Sequence, residues 1–355
     1  MTQSLTHYVH TFQEAPLAET FSCLLVVKSQ DQERRRARML KHADKQPFGR
    51  VEQRPIEDGL LVSCSLGPRG LTIIDTKTFP EPRHIVRFHT GFLLTLVDRV
   101  VQLSPKGVVE REYRDPHFAF LHTIALHPDG ERMLVVSSGY DAILELSLKT
   151  GKRTWEWFAW DNGFNPSADG VYLASTPERA RHYEREGHKA LYVDPAHYGP
   201  LGIVTAKRTA HPNAARYNPY TPGTLLVAMA HKGEIYELRL PEGDKHLRCA
   251  LHPMAHGLIP HKGGWLVTDT TRGVAILFGN GFAERERIIL TGLPKDPALG
   301  EREWVQQVLP LSSHRYLCLD ANRGLHVIDT EQRTRATLLP DPSWCIQDAL
   351  VLGGE

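Results

Sequence analysis

Histidines carry the strongest chemical signal in this sequence. The chain has 19 histidines among 355 residues, and three of them, His122, His211 and His256, stand at the start of short apolar segments. Neutral imidazole is the commonest ligand for zinc, copper and non-haem iron, and three such ligands leave coordination positions open. A positioned imidazole also acts as a general acid or base near neutral pH. The sequence therefore predicts a catalytic site with a divalent transition metal (Fe, Cu or Zn), or a metal-free acid–base site. The alternative is that these histidines only cap strand ends.

Polar residues in tight turns form a second group. Three turns read Pro-Arg-Gly, Thr-Arg-Gly and Asn-Arg-Gly, and further turns contain an aspartate or a histidine; the turn residues are Arg69, Asp141, His231, Arg272 and Arg323. Guanidinium groups bind carboxylate, phosphate and sulfate through two parallel hydrogen bonds. We therefore expect an anionic substrate bound by the three arginines, with His231 as a fourth catalytic histidine. Arg-Gly as the plain turn sequence of a repeat explains the pattern equally well.

Both groups recur because the sequence repeats. An apolar strand, a short polar turn and a second apolar strand return along the chain, at 60–75, 92–104, 133–147, 225–240, 265–278 and 316–329. These are the ordinary signals of a β-hairpin. The last three turns, at Gly233, Gly273 and Gly324, are 40 and 51 residues apart. Propeller blades repeat at about this spacing of 40–50 residues.

Further short strands before and after most hairpins complete units of four antiparallel strands. Such units predict an all-β fold, a single β-propeller of six four-stranded blades that spans residues 1–355. Helical patterns occur mainly at 32–43 and 177–187, which excludes a parallel α/β fold. The C-terminal strand at 345–352 has no hairpin after it, and the hairpin at 60–75 has no strand before it. We expect the C-terminal strand to pair with the first blade and close the ring, with 1–55 as an extension of unassigned structure.

One blade has a more specific pattern. Residues 122–157 read HTIALHPDGERMLVVSSGYDAILELSLKTGKRTWEW. This stretch resembles a blade of bacterial arylsulfotransferases and PQQ-type propellers, in which a strand with His or Asn precedes a hairpin that ends in an LDxxTGxxxWxW-like pattern. The resemblance covers about one blade and implies a propeller. It would place the sulfuryl-carrying histidine at His122. Because arylsulfotransferases act outside the cytoplasm and this sequence begins without an export signal, we expect a different activity.

The propeller topology places the two polar groups at one face. The innermost strand of each blade begins at the face where the turn between strands two and three also lies, because the four strands run alternately up and down. The first residues of the inner strands, His122, His211, His256 and Gln307, should therefore surround one mouth of the central channel. The turn residues should gather around the same mouth.

A long insertion at 158–209 should emerge at that face as well. It follows the outermost strand of one blade and precedes the inner strand of the next, and loops of this length are usually functional. We expect a lid over the channel mouth that contacts substrate through Trp160, Asp161 and Tyr198. An extra structural layer or a dimer contact is the alternative.

Composition excludes several classes of protein. The chain has 42 Lys+Arg against 41 Asp+Glu, a net charge of +1, whereas nucleic-acid binders carry a basic excess. The basic segment 33–45 reads as a short solvated helix. No apolar run approaches the roughly 20 residues of a membrane span. The cysteines are scattered singly, as in reduced cytoplasmic proteins; they are Cys23, Cys64, Cys249, Cys318 and Cys345.

The sequence thus predicts a cytoplasmic small-molecule enzyme with a histidine-lined channel mouth and an anionic substrate, without nucleic-acid or membrane partners. The alternative from another class is a non-catalytic propeller that binds a protein or peptide on the same face.

Overall fold

A computed structural model describes residues 4–42 and 52–354, with only the backbone given for 38–42 and 354. Within these ranges, none of the helices has the length and apolar character that crossing a bilayer requires. The predicted basic helix is present as far as residue 42, and residues 43–45 of that prediction lie outside the described part.

The strands follow one another in the order expected of a propeller. The N-terminal strands are β1 (Leu5–Tyr8), β2 (Gln13–Glu14) and β3 (Phe21–Val27). Helix α1 (Gln32–His42) follows, and then the hairpin of β4 (Asp58–Gly67) and β5 (Gly70–Pro80). Blade 2 consists of β6 (His84–Phe88), β7 (Gly91–Thr95), β8 (Val100–Leu103) and β9 (Val109–Tyr113). Blade 3 consists of β10 (Leu121–Leu126), β11 (Arg132–Ser137), β12 (Ala142–Ser147) and β13 (Arg153–Phe158).

The insertion and the last three blades complete the chain. The insertion contains β14 (Tyr172–Ala174), α2 (Pro177–Arg185), β15 (Ala190–Tyr192) and α3 (Pro195–Tyr198). Blade 4 consists of β16 (Pro212–Tyr217), β17 (Thr224–Met229), β18 (Glu234–Arg239) and β19 (Lys245–Ala250). Blade 5 consists of β20 (Ala255–His261), β21 (Gly264–Asp269), β22 (Val274–Gly279) and β23 (Glu284–Ile289). Blade 6 consists of β24 (Val305–Pro310), β25 (Arg315–Asp320), β26 (Gly324–Asp329) and β27 (Thr334–Leu338), and β28 (Ile346–Gly354) ends the chain.

The C-terminal strand closes the ring. β28 is the innermost strand of blade 1 and pairs antiparallel with β3, from Ile346 opposite Val27 to Gly354 opposite Phe21. Blade 1 therefore has the order β28-β3-β4-β5, and residues 4–42 and 52–354 build six blades. The predicted all-β, six-bladed propeller closed by its C-terminal strand is confirmed.

The first blade corrects one sequence prediction. The repeat predicts that the hairpin at 60–75 forms strands two and three of its blade, whereas β4 and β5 are strands three and four. The second strand is β3, which lies inside the segment read as an N-terminal extension. The β4–β5 turn that holds Arg69 is therefore at the face opposite the one predicted.

The first residues of the chain also belong to the propeller. β1 pairs in parallel with β23, and β2 pairs in parallel with β27, so that blades 5 and 6 each gain a fifth, outermost strand. These additions cover two sheet edges that would otherwise present unpaired backbone groups.

Burial explains why the inner strands read as apolar runs. All six residues of β17 and of β21 are buried, because adjacent blades cover both faces of each sheet. The outermost strand β19 is mostly exposed and correspondingly polar. Packing between blades forms the core; for example, Cys23 and Leu25 of blade 1 contact a cluster that includes Leu317 and Leu319 of blade 6. Each fully buried leucine contributes roughly 2 kcal/mol.

Candidate functional site

Four histidines meet at one mouth of the channel. His122 and His256 are the second residues of β10 and β20, and His211 directly precedes β16. The ring centroid of His122 lies 5.4 Å from that of His211 and 6.2 Å from that of His256. His231, in the turn between β17 and β18, stacks on His211 with 4.9 Å between centroids. The structure therefore brings together the four imidazoles that the sequence singled out.

Arg208 sets opposite tautomers in the two stacked rings. Nδ1 of His231 lies 3.1 Å from the carbonyl oxygen of Arg208, which can only accept, so that this Nδ1 carries the proton. Nδ1 of His211 lies 3.2 Å from Nη1 of Arg208, which can only donate, so that the proton of neutral His211 is on Nε2. One ring thus offers a lone pair at Nε2 and the other an N–H.

His256 also has a defined tautomer. Its Nδ1 lies 2.8 Å from the carbonyl oxygen of Met254 and 2.7 Å from Oγ1 of Thr270. Because the carbonyl can only accept, the proton is on Nδ1 and the lone pair is on Nε2. His256 is therefore a proton acceptor at Nε2.

All four imidazoles are uncharged at neutral pH. Burial lowers the pKa of His231 and of His256 to about 4. Burial, followed by the charge of Arg83, holds the pKa of His122 well below its ordinary value. Burial, followed by the charge of Arg208, does the same for His211. Neutral rings can exchange protons with a substrate without first losing one to solvent.

Buried arginines surround one aromatic ring beside the histidines. The guanidinium carbons of Arg83 and Arg208 each lie 5.1 Å from the centroid of Phe120, and that of Arg54 lies at 6.0 Å. Arg83 and Arg208 are both 3% exposed. Nε of Arg83 and Nη2 of Arg208 have no hydrogen-bond partner among the described residues. Sequence reasoning missed these arginines, because they precede inner strands instead of standing in the repeated turns.

Buried acidic side chains lie beside these arginines. Burial lowers the pKa of Arg208 to about 9. Glu81 is fully buried and forms ion pairs with Arg54 and Arg83, with Lys28 Nζ at 3.9 Å. Burial alone would raise the pKa of Glu81, but Arg83, Lys28 and Arg54 lower it to about 2. Glu81 thus pairs with Arg54 and Arg83, while Asp141 is the acidic group whose charge acts on Arg208. The nitrogens of Arg83 and Arg208 that lack a partner among the described residues favour an anion as ligand.

The channel itself is narrow. Polar side chains line a cavity of about 10 Å³, roughly the space of one water molecule; they include His84, Thr123, Asn213, Arg216, Gln306, Gln307 and Gln347. Gln307, predicted to bind substrate, thus lies in the channel wall. Arg83, His122 and His256 line the same cavity, so that an organic substrate would have to bind at its outer end.

Arg216 of blade 4 contacts the inner strands of blades 2 and 3. Arg216 donates from Nη2 to Nε2 of His84 at 3.1 Å and from Nη1 to the carbonyl oxygen of Ile124 at 3.1 Å. Asp348 Oδ2 lies 3.7 Å from Nε2 of His84, and burial raises the pKa of Asp348 to about 7. These contacts join the inner strands of blades 1, 2, 3 and 4.

The four imidazoles do not fit the predicted metal centre. Residues 4–42 and 52–354 contain no group of three or more His, Cys, Asp or Glu side chains placed to hold a metal ion. Arg208 occupies Nδ1 of His211, and the proton on Nε2 leaves that ring without a lone pair for coordination. The charges of Arg83 and Arg208 act on the same rings and would repel a divalent cation.

The predicted turn arginines lie away from these rings. Arg272 is exposed, and its Nη2 contacts Nε2 of His252 at 2.5 Å. Arg323 is buried in ion pairs with Glu303, at 2.6 Å, and Asp320, at 2.7 Å. Both side chains bind local partners, whereas His231, at the corresponding turn of blade 4, stacks on His211. Arg69 is at the opposite face.

Most of the insertion packs as a structural layer. Trp160 is 1% exposed in a core cluster that includes Phe158 and Leu173. Asp161 accepts a hydrogen bond from Ser175, within the insertion itself. Tyr198 packs against the same core cluster. Trp160, Asp161 and Tyr198 thus have partners within the insertion and its core cluster, and their contact with a substrate stays a prediction.

The end of the insertion is fixed to the β11–β12 turn. The hydroxyl of Tyr140 donates to the carbonyl oxygen of Gly199 at 2.7 Å. The N–H of Ile203 donates to the carbonyl oxygen of Gly139 at 2.9 Å. Residues 199–203 are thereby fixed to the β11–β12 turn, and Arg208 follows them toward His211. The insertion lies between β13 and β16 as predicted, and Arg208 near its end contacts His211 and His231.

Comparisons with known proteins identify the fold but no family. No protein-family model matches the sequence, and no curated protein matches it either. The chain is similar to a protein of unknown function from Bacteroides caccae, with a TM-score of 0.54 and 14% identity over 93% of this chain and 98% of that chain.

Two further similarities are more distant. One is to a catalytically inactive virginiamycin B lyase from Staphylococcus aureus with quinupristin, at a TM-score of 0.45 and 10% identity over 75% of this chain and 74% of that chain. The other is to the WD40 domain of Neurospora crassa Pan2, at a TM-score of 0.43 and 11% identity over 81% of this chain and 77% of that chain. The comparisons support a generic propeller, and the resemblance of residues 122–157 to arylsulfotransferases is not shown by them.

Proposed function

We propose that this protein is a small-molecule enzyme that performs metal-free acid–base chemistry on an anionic substrate at the channel mouth. The observation that carries the proposal is the placement of neutral imidazoles with fixed, opposite tautomers beside two buried guanidinium groups. Buried cations with unused donors and pKa values shifted by burial are typical of functional sites.

Arg208 and Arg83 bind the anion. Each is buried, and each has a nitrogen without a partner among residues 4–42 and 52–354. A carboxylate, phosphate or sulfate oxygen would supply the missing acceptor through a charge-assisted hydrogen bond. The ring of Phe120 is 1% exposed and packs against both guanidinium groups, which holds them in place beside the histidines.

The histidines transfer protons. His256 accepts a proton at Nε2, because its Nδ1–H is engaged by the carbonyl of Met254. His211 donates its Nε2 proton, because its Nδ1 is engaged by Arg208. His122 lies between these two rings and completes the wall of the site. General acid–base catalysis by one such group contributes about 10²–10⁴-fold in rate.

Anion binding is the first test. We expect inorganic phosphate or sulfate to bind the untagged full-length protein in calorimetric titrations at pH 7. Arg208→Ala should weaken that binding at least tenfold, since it removes a buried, charge-assisted donor. Arg272→Ala is the matched control, because this exposed rim arginine should leave the affinity unchanged. A wild-type protein that binds neither anion would refute the anionic substrate.

Turnover and metal content are the second test. We expect at least one member of a panel of phosphate esters, sulfate esters and hydroxy acids to be converted. His256→Gln should lose about 100-fold or more in kcat and keep its phosphate affinity. Elemental analysis of the untagged protein should find no stoichiometric transition metal. Stoichiometric metal that disappears in His122→Ala would support the metalloenzyme instead, and phosphate binding without any turnover would support a non-catalytic scaffold.

A further inference from the structure

One residue beside the site departs from the pattern of the repeat. The turns between strands two and three of blades 4, 5 and 6 place a glycine in the left-handed region, with φ of 65° at Gly233, 64° at Gly273 and 114° at Gly324. Blade 3 places Asp141 at the corresponding position, with φ of 48°. A side chain with a Cβ is less stable than glycine in this conformation, and such strain collects at functional sites. Asp141 therefore suggests a role for its carboxylate.

The carboxylate of Asp141 is completely buried and binds the end of the insertion. Oδ2 accepts hydrogen bonds from the N–H of Thr209 at 2.5 Å, from Oγ1 of Thr209 at 3.1 Å and from the N–H of Ala210 at 3.3 Å. Oδ1 accepts from the N–H of His211 at 2.9 Å. Asp141 is 0% exposed. Three consecutive backbone N–H groups thus point at one side chain.

Residues 209–211, which Asp141 binds, follow the arginine that determines the tautomers of His211 and His231. Arg208 directly precedes this segment, and its carbonyl oxygen and guanidinium group bind Nδ1 of His231 and of His211. His211 ends the segment and has φ of 50°, a second left-handed backbone that needs support from its surroundings. Burial raises the pKa of Asp141, while the charge of Arg208 and the three N–H groups lower it.

We propose that Asp141 is a positioning residue, whose carboxylate holds residues 209–211 so that Arg208 and His211 face the channel mouth. Its consequences for substrate rest on the proposed function, but its effect on the histidine tautomers does not. In blades 4, 5 and 6 a glycine stands at this position and brings no carboxylate. The aspartate therefore serves the neighbouring segment in addition to its own turn.

Two substitutions separate positioning from folding. Asp141→Gly restores the glycine of the repeat and relieves the left-handed backbone, so that the turn itself should form. Asp141→Asn also tolerates this backbone but replaces one acceptor oxygen with an NH₂ group that cannot accept an N–H. Asp269→Asn, at the β21–β22 turn of blade 5, is the matched control away from residues 209–211.

Long-range ¹H–¹⁵N NMR spectra of the imidazoles at pH 7 provide the decisive measurement. We expect the wild-type protein and Asp269→Asn to show His211 protonated at Nε2 and His231 protonated at Nδ1. In Asp141→Gly the His211 signals should become those of averaged tautomers, and phosphate affinity should fall at least tenfold. Asp141→Asn should show the same changes to a smaller extent.

The outcomes distinguish this proposal from the proposed function. Wild-type tautomers in a folded Asp141→Gly protein would overturn the positioning role. If the glycine variant does not fold, the tautomers of Asp141→Asn decide in the same way. If the wild-type protein binds no phosphate or sulfate, the proposed anionic substrate fails, and the NMR comparison still decides the role of Asp141.

Discussion

Arg208 acts on two neighbouring rings through chemically different groups, a carbonyl oxygen and a guanidinium. This makes the protonation of His211 and His231 a property of one backbone segment. The sequence predicted that the histidines would converge, because residue type and position in the repeat were both visible. It did not predict Arg208 or Arg83. The number of residues between each arginine and the inner strand that follows it depends on the preceding loop, so that the two arginines do not share one position in the repeat. A comparison of residues just before each inner strand would have found both.

Acid should destabilise the protein through the buried imidazoles. His231 and His256 have a pKa of about 4 in the folded protein against 6.5 ordinarily, so that between pH 6.5 and pH 4 the unfolded chain binds protons that the folded chain does not. The free energy of unfolding should therefore fall as pH is lowered through this window, by up to about 3 kcal/mol for each ring.

Urea denaturation at pH 7 and pH 4 measures this loss. A variant with His231→Gln and His256→Gln should lose less stability between the two pH values than the wild-type protein. Asp348, whose raised pKa acts in the opposite sense, titrates in both proteins and cancels in the comparison. An equal loss in both proteins would show that the two imidazoles are not responsible.

At the scale of elements, the end of the insertion is fixed to the β11–β12 turn by close backbone approach. Gly202 lies directly against the backbone of Gly139, and a Cβ at position 202 would overlap the carbonyl oxygen of Gly139. The insertion and its position in the chain could be predicted from the interrupted repeat. Which part of it lies beside the channel could not, because that depends on contacts such as this one between residues distant in sequence.

Gly202→Ala should displace the segment that leads to Arg208. Gly199 provides a matched control: its φ of 53° and ψ of −148° nearly equal the 54° and −155° of Gly202, but a Cβ at position 199 would have open space. Both alanine variants are destabilised by the same unfavourable backbone conformation. In Gly202→Ala the new Cβ also overlaps the backbone of Gly139. We expect Gly202→Ala to lower the free energy of unfolding by about 2 kcal/mol more than Gly199→Ala. Phosphate affinity should fall only in Gly202→Ala; equal effects would show that the close approach is unimportant.

For the whole molecule, the repeat made the six blades and the ring closure predictable. What could not be predicted was the role of β3, since a single strand in a non-repeating segment has no second copy to identify it. Because β3 was not recognised, the 60–75 hairpin was predicted one strand too early in its blade, and Arg69 was predicted at the wrong face. A shift of one antiparallel strand reverses the end at which every later turn of the blade lies.

Ring closure should dominate global stability. Deletion of residues 346–355 removes β28, the inner strand of blade 1, and exposes the backbone groups of β3 that pair with it. We expect this protein to fail to fold cooperatively in thermal denaturation followed by circular dichroism. Deletion of residues 1–14 removes only the outermost strands β1 and β2, together with the buried Val9 and Phe12. It should lower Tm and still give one cooperative transition; the reverse ranking would contradict the assigned closure.

The contacts of Arg216 with His84 and Ile124 and the small cavity in the channel indicate that the site opens at one mouth. Among the residues that the structure describes, this cavity has room for about one water molecule, so that we expect a product formed at the mouth to leave by the route through which the substrate enters. Product and substrate would then exclude each other, so that accumulated product slows turnover competitively.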